Sequence, residues 1–173
     1  MPLTLRYPPD QRFDSFVAAP AGALAQLQAL AERPGADWLF LAGAAKTGKT
    51  HLALALCAAA EQAGHRAAFL PLAAAAGRAG EALEALDDHD VIALDGLEKL
   101  VGGIADESRD DEIALFDFHN RARSRGASVL YTAQALPDEL ALALPDLRSR
   151  LQQCARVALS PLDDDGRRAV QHE

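Results

Sequence analysis

The stretch Gly43-Ala44-Ala45-Lys46-Thr47-Gly48-Lys49-Thr50 constrains this chain more than any other feature. Its spacing, G-x-x-x-x-G-K-T, suits a phosphate-binding loop. The two glycines omit the Cβ atoms that would keep backbone N–H groups from converging on phosphate oxygens. Lys49 would add a point charge near the β and γ phosphates, and the Thr50 hydroxyl would ligand Mg²⁺. His51 follows on a helix whose positive N-terminal end faces the anion. Such a loop needs a strand before it and a helix after it. Trp38-Leu39-Phe40-Leu41 has no polar interruption, as expected of a strand buried on both faces. From Thr50 to Ala63 good helix formers carry Leu52, Leu54, Leu56, Ala59 and Ala60, and Gly64 stands where a C-terminal cap belongs.

The same alternation runs on. A first helix is expected over roughly Gly22 to Glu32, and further strands at Arg66–Leu70, Val91–Asp95, Ser128–Thr132 and Arg156–Leu159. Between them come a helix over Gly80 to Leu86, a loop over Leu100 to Arg109, and a longer amphipathic helix over Asp111 to Arg125. Ile113, Leu115, Phe116 and Phe118 supply the apolar side of that long helix. Two short helical stretches, Pro137–Leu142 and Asp146–Leu151, are separated by Pro145. Strand alternating with helix predicts an α/β fold with a parallel sheet covered on both faces. At 173 residues, half of them hydrophobic, the chain is long enough for one sizeable core and too short for two full domains. Only 5% of the residues are aromatic, and the alanine-rich composition disfavours a large β sandwich.

Charge and cysteine usage narrow the function classes. A net charge of -8 provides no global field to attract a phosphate backbone, so direct non-specific nucleic-acid binding is not expected. Without a helix-turn-helix signature or basic patch, no direct sequence-specific binding is expected either. Cys57 and Cys154 have no metal-ligand spacing, which fits a reducing cytoplasm and argues against a zinc site. The N-terminus lacks the apolar core of a signal peptide, and no run reaches the roughly 18 apolar residues of a membrane span, so no membrane partner is expected. The histidines show no HxxxH or HExxH spacing, and the serines no nucleophile elbow.

Four further positions carry chemistry. Asp95 closes an apolar strand, where a carboxylate can hold Mg²⁺ directly or through water. A turn aspartate before Gly96 is the alternative. Many ATPases of this architecture follow that aspartate with an acid that polarises the attacking water. Gly96 stands there instead, so the chain should bind nucleotide better than it hydrolyses it, with Glu98 the nearest carboxylate. Thr132 and Gln134, at the end of the fourth strand, are candidates for sensing the γ phosphate, and a polar turn accounts for them equally well. Arg150, among helical residues in Leu147-Arg148-Ser149-Arg150-Leu151, is either an ordinary surface arginine or one able to reach the nucleotide of a neighbouring subunit.

Several segments together resemble the Hda family, AAA+ regulatory inactivators of the bacterial replication initiator DnaA. They are Phe13-Asp14-Ser15-Phe16-Val17, the phosphate loop, Val91 to Glu98, Ala114-Leu115-Phe116-Asp117-Phe118-His119-Asn120-Arg121, and Leu144-Pro145-Asp146-Leu147-Arg148-Ser149-Arg150-Leu151. They cover nearly the whole chain in the expected order. The resemblance implies a five-stranded AAA+ core over residues 13–160 that binds ADP or ATP with Mg²⁺. It also implies an arginine finger at Arg150 that completes the initiator's ATP site. Such a finger can accelerate hydrolysis ~10³- to 10⁵-fold. Members carry an N-terminal peptide that binds the replicative sliding clamp. Pro2-Leu3-Thr4-Leu5, in a leader over residues 1–12, matches part of it and lacks its glutamine. Residues 161–173 begin like the family's helical lid, which is otherwise absent. Thr132-Ala133-Gln134-Ala135 departs from the family's sensor segment. The expected partners are therefore DnaA and the sliding clamp, with a homo-oligomer as a further candidate assembly. A competing reading is an autonomous AAA+ ATPase of the DnaA or helicase-loader type, and a small-molecule kinase is disfavoured by the lack of an arginine-rich lid.

Overall fold

Five short apolar strands form the centre of the chain: β1 (Leu39–Ala42), β2 (Ala67–Pro71), β3 (Val91–Asp95), β4 (Ser128–Ala133) and β5 (Ala155–Ala158). They pair in the order β2-β3-β4-β1-β5, and every pairing is parallel. The computed structural model describes residues 21–33, 38–44, 48–101 and 106–159. The expected leader over residues 1–12 with the clamp-binding match Pro2–Leu5, the segment Phe13–Val17, Ala45–Thr47 and residues 161–173, expected to begin a lid, lie outside the described residues. Among the described residues five α-helices accompany the sheet: α1 (Ala21–Glu32), α2 (Lys49–Gln62), α3 (Ala79–Glu84), α4 (Asp106–Ser124) and α5 (Pro145–Gln152).

The sheet divides the core in two. On one face Leu39 and Leu41 of β1, Ala93 of β3 and Leu130 of β4 pack with Leu27 and Leu30 of α1 and with Leu52, Leu56 and Ala60 of α2. On the other, Trp38, Phe40, Ile92, Leu94 and Tyr131 pack with Leu83 of α3, Leu115 and Phe118 of α4, and Leu147 and Leu151 of α5. Alternate residues of one strand thus serve opposite layers, as the period of two requires, and both faces are dry because helices cover both. The continuous apolar runs follow from this double burial. Gly64 ends the α2 region at φ 90°, a left-handed conformation that favours glycine.

The structure corrects three expectations. Helix α4 starts at Asp106, inside the stretch expected to be loop. Its first turns are charged and have no apolar period to reveal them, but acidic residues at a helix N-terminus suit the helix dipole. Ile113 is 41% exposed rather than part of the apolar side, whereas Leu115, Phe118 and Ala122 are buried at helical spacing. Pro145 does not separate two helices. It opens α5, where its missing N–H costs nothing, and the preceding helical expectation reduces to a single 3₁₀ turn at Pro137–Glu139.

Two adjacent acids at the buried start of the α4 core face tie its neighbours together. The Asp111 carboxylate accepts the backbone N–H groups of Gly77 at 2.7 Å and Ala79 at 3.1 Å, at the entry to α3. Glu112, 1% exposed, accepts those of Ala143 at 2.8 Å and Leu144 at 3.1 Å, at the entry to α5. Each acid satisfies backbone donors that a helix N-terminus leaves unpaired, from a distant part of the sequence.

Candidate phosphate-binding site

Because β4 lies between β1 and β3, the loop after β1 and the carboxylate ending β3 flank the C-terminal tip of β4. That arrangement forms the crevice where open parallel sheets bind ligands. The Gly43 N–H bonds the Ala133 carbonyl at 3.0 Å, anchoring the loop entry to β4. At its exit Gly48 takes φ 91°, turning the backbone into α2. A cavity of about 450 Å³ opens here, lined by Gly48, Lys49, Thr50, His51, Asp95, Gly96, Glu98, Thr132 and Gln134 with Pro71, Ala73 and Lys99.

The predicted phosphate and metal ligands converge. The Thr50 hydroxyl donates to Asp95 Oδ2 at 2.9 Å, and the Thr132 hydroxyl donates to Asp95 Oδ1 at 2.6 Å. Thr132 in turn accepts the Gly96 N–H at 2.9 Å, so it fixes both the carboxylate and the backbone behind it. The turn-aspartate alternative for Asp95 explains none of these contacts. One carboxylate and one hydroxyl at a phosphate site suit Mg²⁺, which takes few protein oxygens and completes its shell with water and phosphate. Thr50 and Asp95 would hold it.

Lys49 donates to the Gly43 carbonyl at 2.5 Å and to that of Ala44 at 2.8 Å. Its pKa is lowered, chiefly by burial, against the opposing pull of Glu98 and then Asp95. Gly43 and Ala44 therefore enter the site through their carbonyls and do not line the cavity.

Glu98 was named from the sequence only as a nearby carboxylate, with no direction assigned to it. Gly96, at φ 84°, starts a left-handed turn into the 3₁₀ helix Leu97–Lys99, which brings Glu98 back over the cavity. Its carboxylate accepts the Gln134 backbone N–H at 2.9 Å. Gln134 thus contributes its main chain as well as a place in the lining. A D-G-x-E spacing could have suggested this geometry only if the glycine's left-handed turn were known. Arg150 is not brought into this cavity. It is exposed on α5 and absent from the lining.

No family model matches the chain. Among solved structures it is similar to domain III of the Thermotoga maritima replication initiation protein DnaA, with a TM-score of 0.80 at 23% identity, over 97% of this chain and 74% of that one. AMPPCP-bound DnaA from Aquifex aeolicus gives 0.77 at 21%, over 93% of this chain and 53% of that one. The DnaC helicase loader gives 0.60 at 18%, over 88% and 97%. The chain thus spans about half the length of that Aquifex initiator. With its five parallel strands between helical layers, the chain shares the α/β fold of these replication proteins.

Proposed function

We propose that the chain is an adenine-nucleotide-binding AAA+ regulator of the Hda type, which stimulates ATP hydrolysis by the initiator DnaA together with the sliding clamp. The observation that carries this reading is the separation of its two chemical groups. Gly48, Lys49, Thr50 and Asp95 border one cavity, whereas Arg150 is exposed elsewhere and lines no part of it. An arginine so placed has no nucleotide of its own to act on, and a guanidinium offered to a neighbour's triphosphate neutralises charge that develops during phosphoryl transfer. Gly96 in place of an acid agrees with a chain whose own turnover is slow. In this reading the bound nucleotide, ADP or ATP with Mg²⁺, holds the module in shape, and re-initiation is suppressed because the initiator is driven to its ADP form. The similarity to AMPPCP-bound DnaA supports an adenine nucleotide in the cavity.

The test is steady-state ATP hydrolysis by DnaA with clamp loaded on DNA, with and without the chain. Stimulation lost in Arg150→Ala supports the proposal. Rapid hydrolysis by the chain alone, with Arg150→Ala leaving initiator turnover unchanged, contradicts it.

Glu98 favours a second reading, an autonomous ATPase of the initiator or helicase-loader type, because it puts a carboxylate into the cavity that the residue after Asp95 does not supply. That reading requires turnover by the isolated chain that is abolished in Glu98→Gln.

A further inference from the structure

The arginines at and just past the C-terminal end of α4, together with those of α5 and β5, fall into two sets. Arg121 pairs with Asp87 at 3.3 Å, Arg125 donates to the carbonyls of His89 and Leu86, and Arg148 donates to that of Leu142. These three brace the fold. Arg123, Arg150 and Arg156 are exposed, and none of their guanidinium groups bonds a carboxylate or carbonyl among the described residues.

A chain of contacts gathers this second set. The Arg123 guanidinium lies 4.6 Å from the centre of the Trp38 ring, which the Ala127 carbonyl fixes through the indole N–H at 2.9 Å. The Trp38 carbonyl accepts the N–H of Ala155, the neighbour of Arg156, at 2.8 Å. Arg156 is in register with Phe40, whose side chain belongs to the α4 and α5 side of the core, so Arg156 is on that same side of the sheet. The Cys154 thiol, next in the chain, lies 4.0 Å from the Arg150 carbonyl. The fields agree with these contacts. Arg123 and Arg150 both act on His119, and Arg123 and Arg156 both act on Cys154.

Exposed guanidinium-bearing residues of three elements thus belong to the part of the molecule around Trp38, His119 and Cys154, in a chain whose net charge is -8. Like charges so gathered repel one another until an anion arrives. We propose that Arg123 and Arg156 extend Arg150 into a three-arginine docking face for the nucleotide-bearing surface of a second P-loop subunit. The inference rests on the reading of Arg150 given above and adds the residues that would seat it. The chain's own site shows what such a surface offers: a phosphate loop bordered by carboxylates such as Asp95 and Glu98. Stacking on Trp38 restrains Arg123 while leaving its edge donors available, which lowers the entropy lost on docking. A nucleic acid is the weaker occupant, because the overall negative charge opposes a long phosphate backbone while three local cations match a compact triphosphate site.

The experiment measures binding of fluorescently labelled, ATP-loaded DnaA to the full chain across a salt series, with circular dichroism to confirm folding. Arg123→Met keeps a stem against Trp38 and removes the charge, and Arg156→Gln removes the second charge. Each is expected to weaken binding about threefold to tenfold and to flatten the salt dependence. Arg123→Lys should recover most of the loss. If the wild-type chain binds but both charge-removing variants bind equally tightly with the same salt slope, the docking face is wrong and the role of Arg150 stands. If the wild-type chain does not bind at all, both fall. A parallel titration with duplex DNA completes the test. Salt-sensitive DNA binding that is lost in the two variants, with DnaA binding unchanged, overturns the proposal in favour of a nucleic-acid surface.

Discussion

At the scale of single residues, the candidate site depends on which carboxylate faces the phosphate loop. Asp95 is engaged on both oxygens by Thr50 and Thr132, which suits metal ligation rather than proton transfer. Glu98 is held by one backbone N–H and borders the same cavity as Lys49. Any residual hydrolysis by the isolated chain should therefore run through Glu98. Glu98→Gln is expected to lower that slow turnover by roughly a hundredfold, the scale of a lost general base, while ATP binding is retained. Turnover measured with radiolabelled ATP checks this, and an unchanged rate would remove Glu98 from the chemistry. That Lys49, Thr50 and Asp95 share one cavity was legible in the sequence because their chemistry is contiguous or sits at a strand end. Glu98 was not, since its direction depends on the left-handed turn at Gly96. Arg123 and Arg156 were equally hidden, because only tertiary packing brings them toward Arg150.

At the scale of elements, α4 organises the side of the sheet that carries Arg150. Glu112 satisfies the backbone donors at the entry to α5, so the carboxylate on one helix sets where the other begins. Glu112→Ala leaves those donors without their partner in a half-buried place. The expected loss is about 1–3 kcal/mol of stability, measurable by urea denaturation, with a weakened stimulation of the initiator because α5 no longer holds Arg150 in place. A stability unchanged within error would contradict this capping role. The sequence revealed α4 by its apolar residues but missed its first turns, which are charged and carry no period. It also assigned Ile113 to the wrong side. A hydrophobic residue one step from a buried pair lies about 100° around the helix, and composition alone does not say which way the stripe leans.

At the scale of the whole molecule, α4 meets the sheet through a buried polar group. His119 is 1% exposed, shares a 2.8 Å hydrogen bond with the Tyr131 hydroxyl, and packs edge-on against Trp38 at 4.5 Å. Burial, and then the charges of Arg123 and Arg150, push its pKa down to about 4 from an ordinary 6.5. Between those values the unfolded chain binds a proton that the folded chain does not. Stability should therefore fall as pH drops from 6.5 towards 4, by up to about 3 kcal/mol from this group. Denaturation across that range checks it, and His119→Gln should flatten the slope. An unchanged slope in the variant would assign the acid sensitivity to other groups.

The parallel sheet and its strands were readable from apolar runs, because burial on both faces removes polar interruptions. Strand order was not read from the sequence, since β1 pairs with β4 and β5 rather than with its chain neighbour β2. That order sets β4 between the phosphate loop and Asp95, and leaves Arg150 outside the cavity. In the proposed function, the bond this arginine helps to break belongs to a partner. That assignment is tested most directly by loading DnaA with γ-labelled ATP, removing free nucleotide, and following phosphate release after adding the chain with clamp on DNA. Rapid release with the wild-type chain and slow release with Arg150→Ala, with nucleotide binding by the variant intact, is the predicted result. Release at the same rate with and without Arg150 would exclude it from the partner's chemistry.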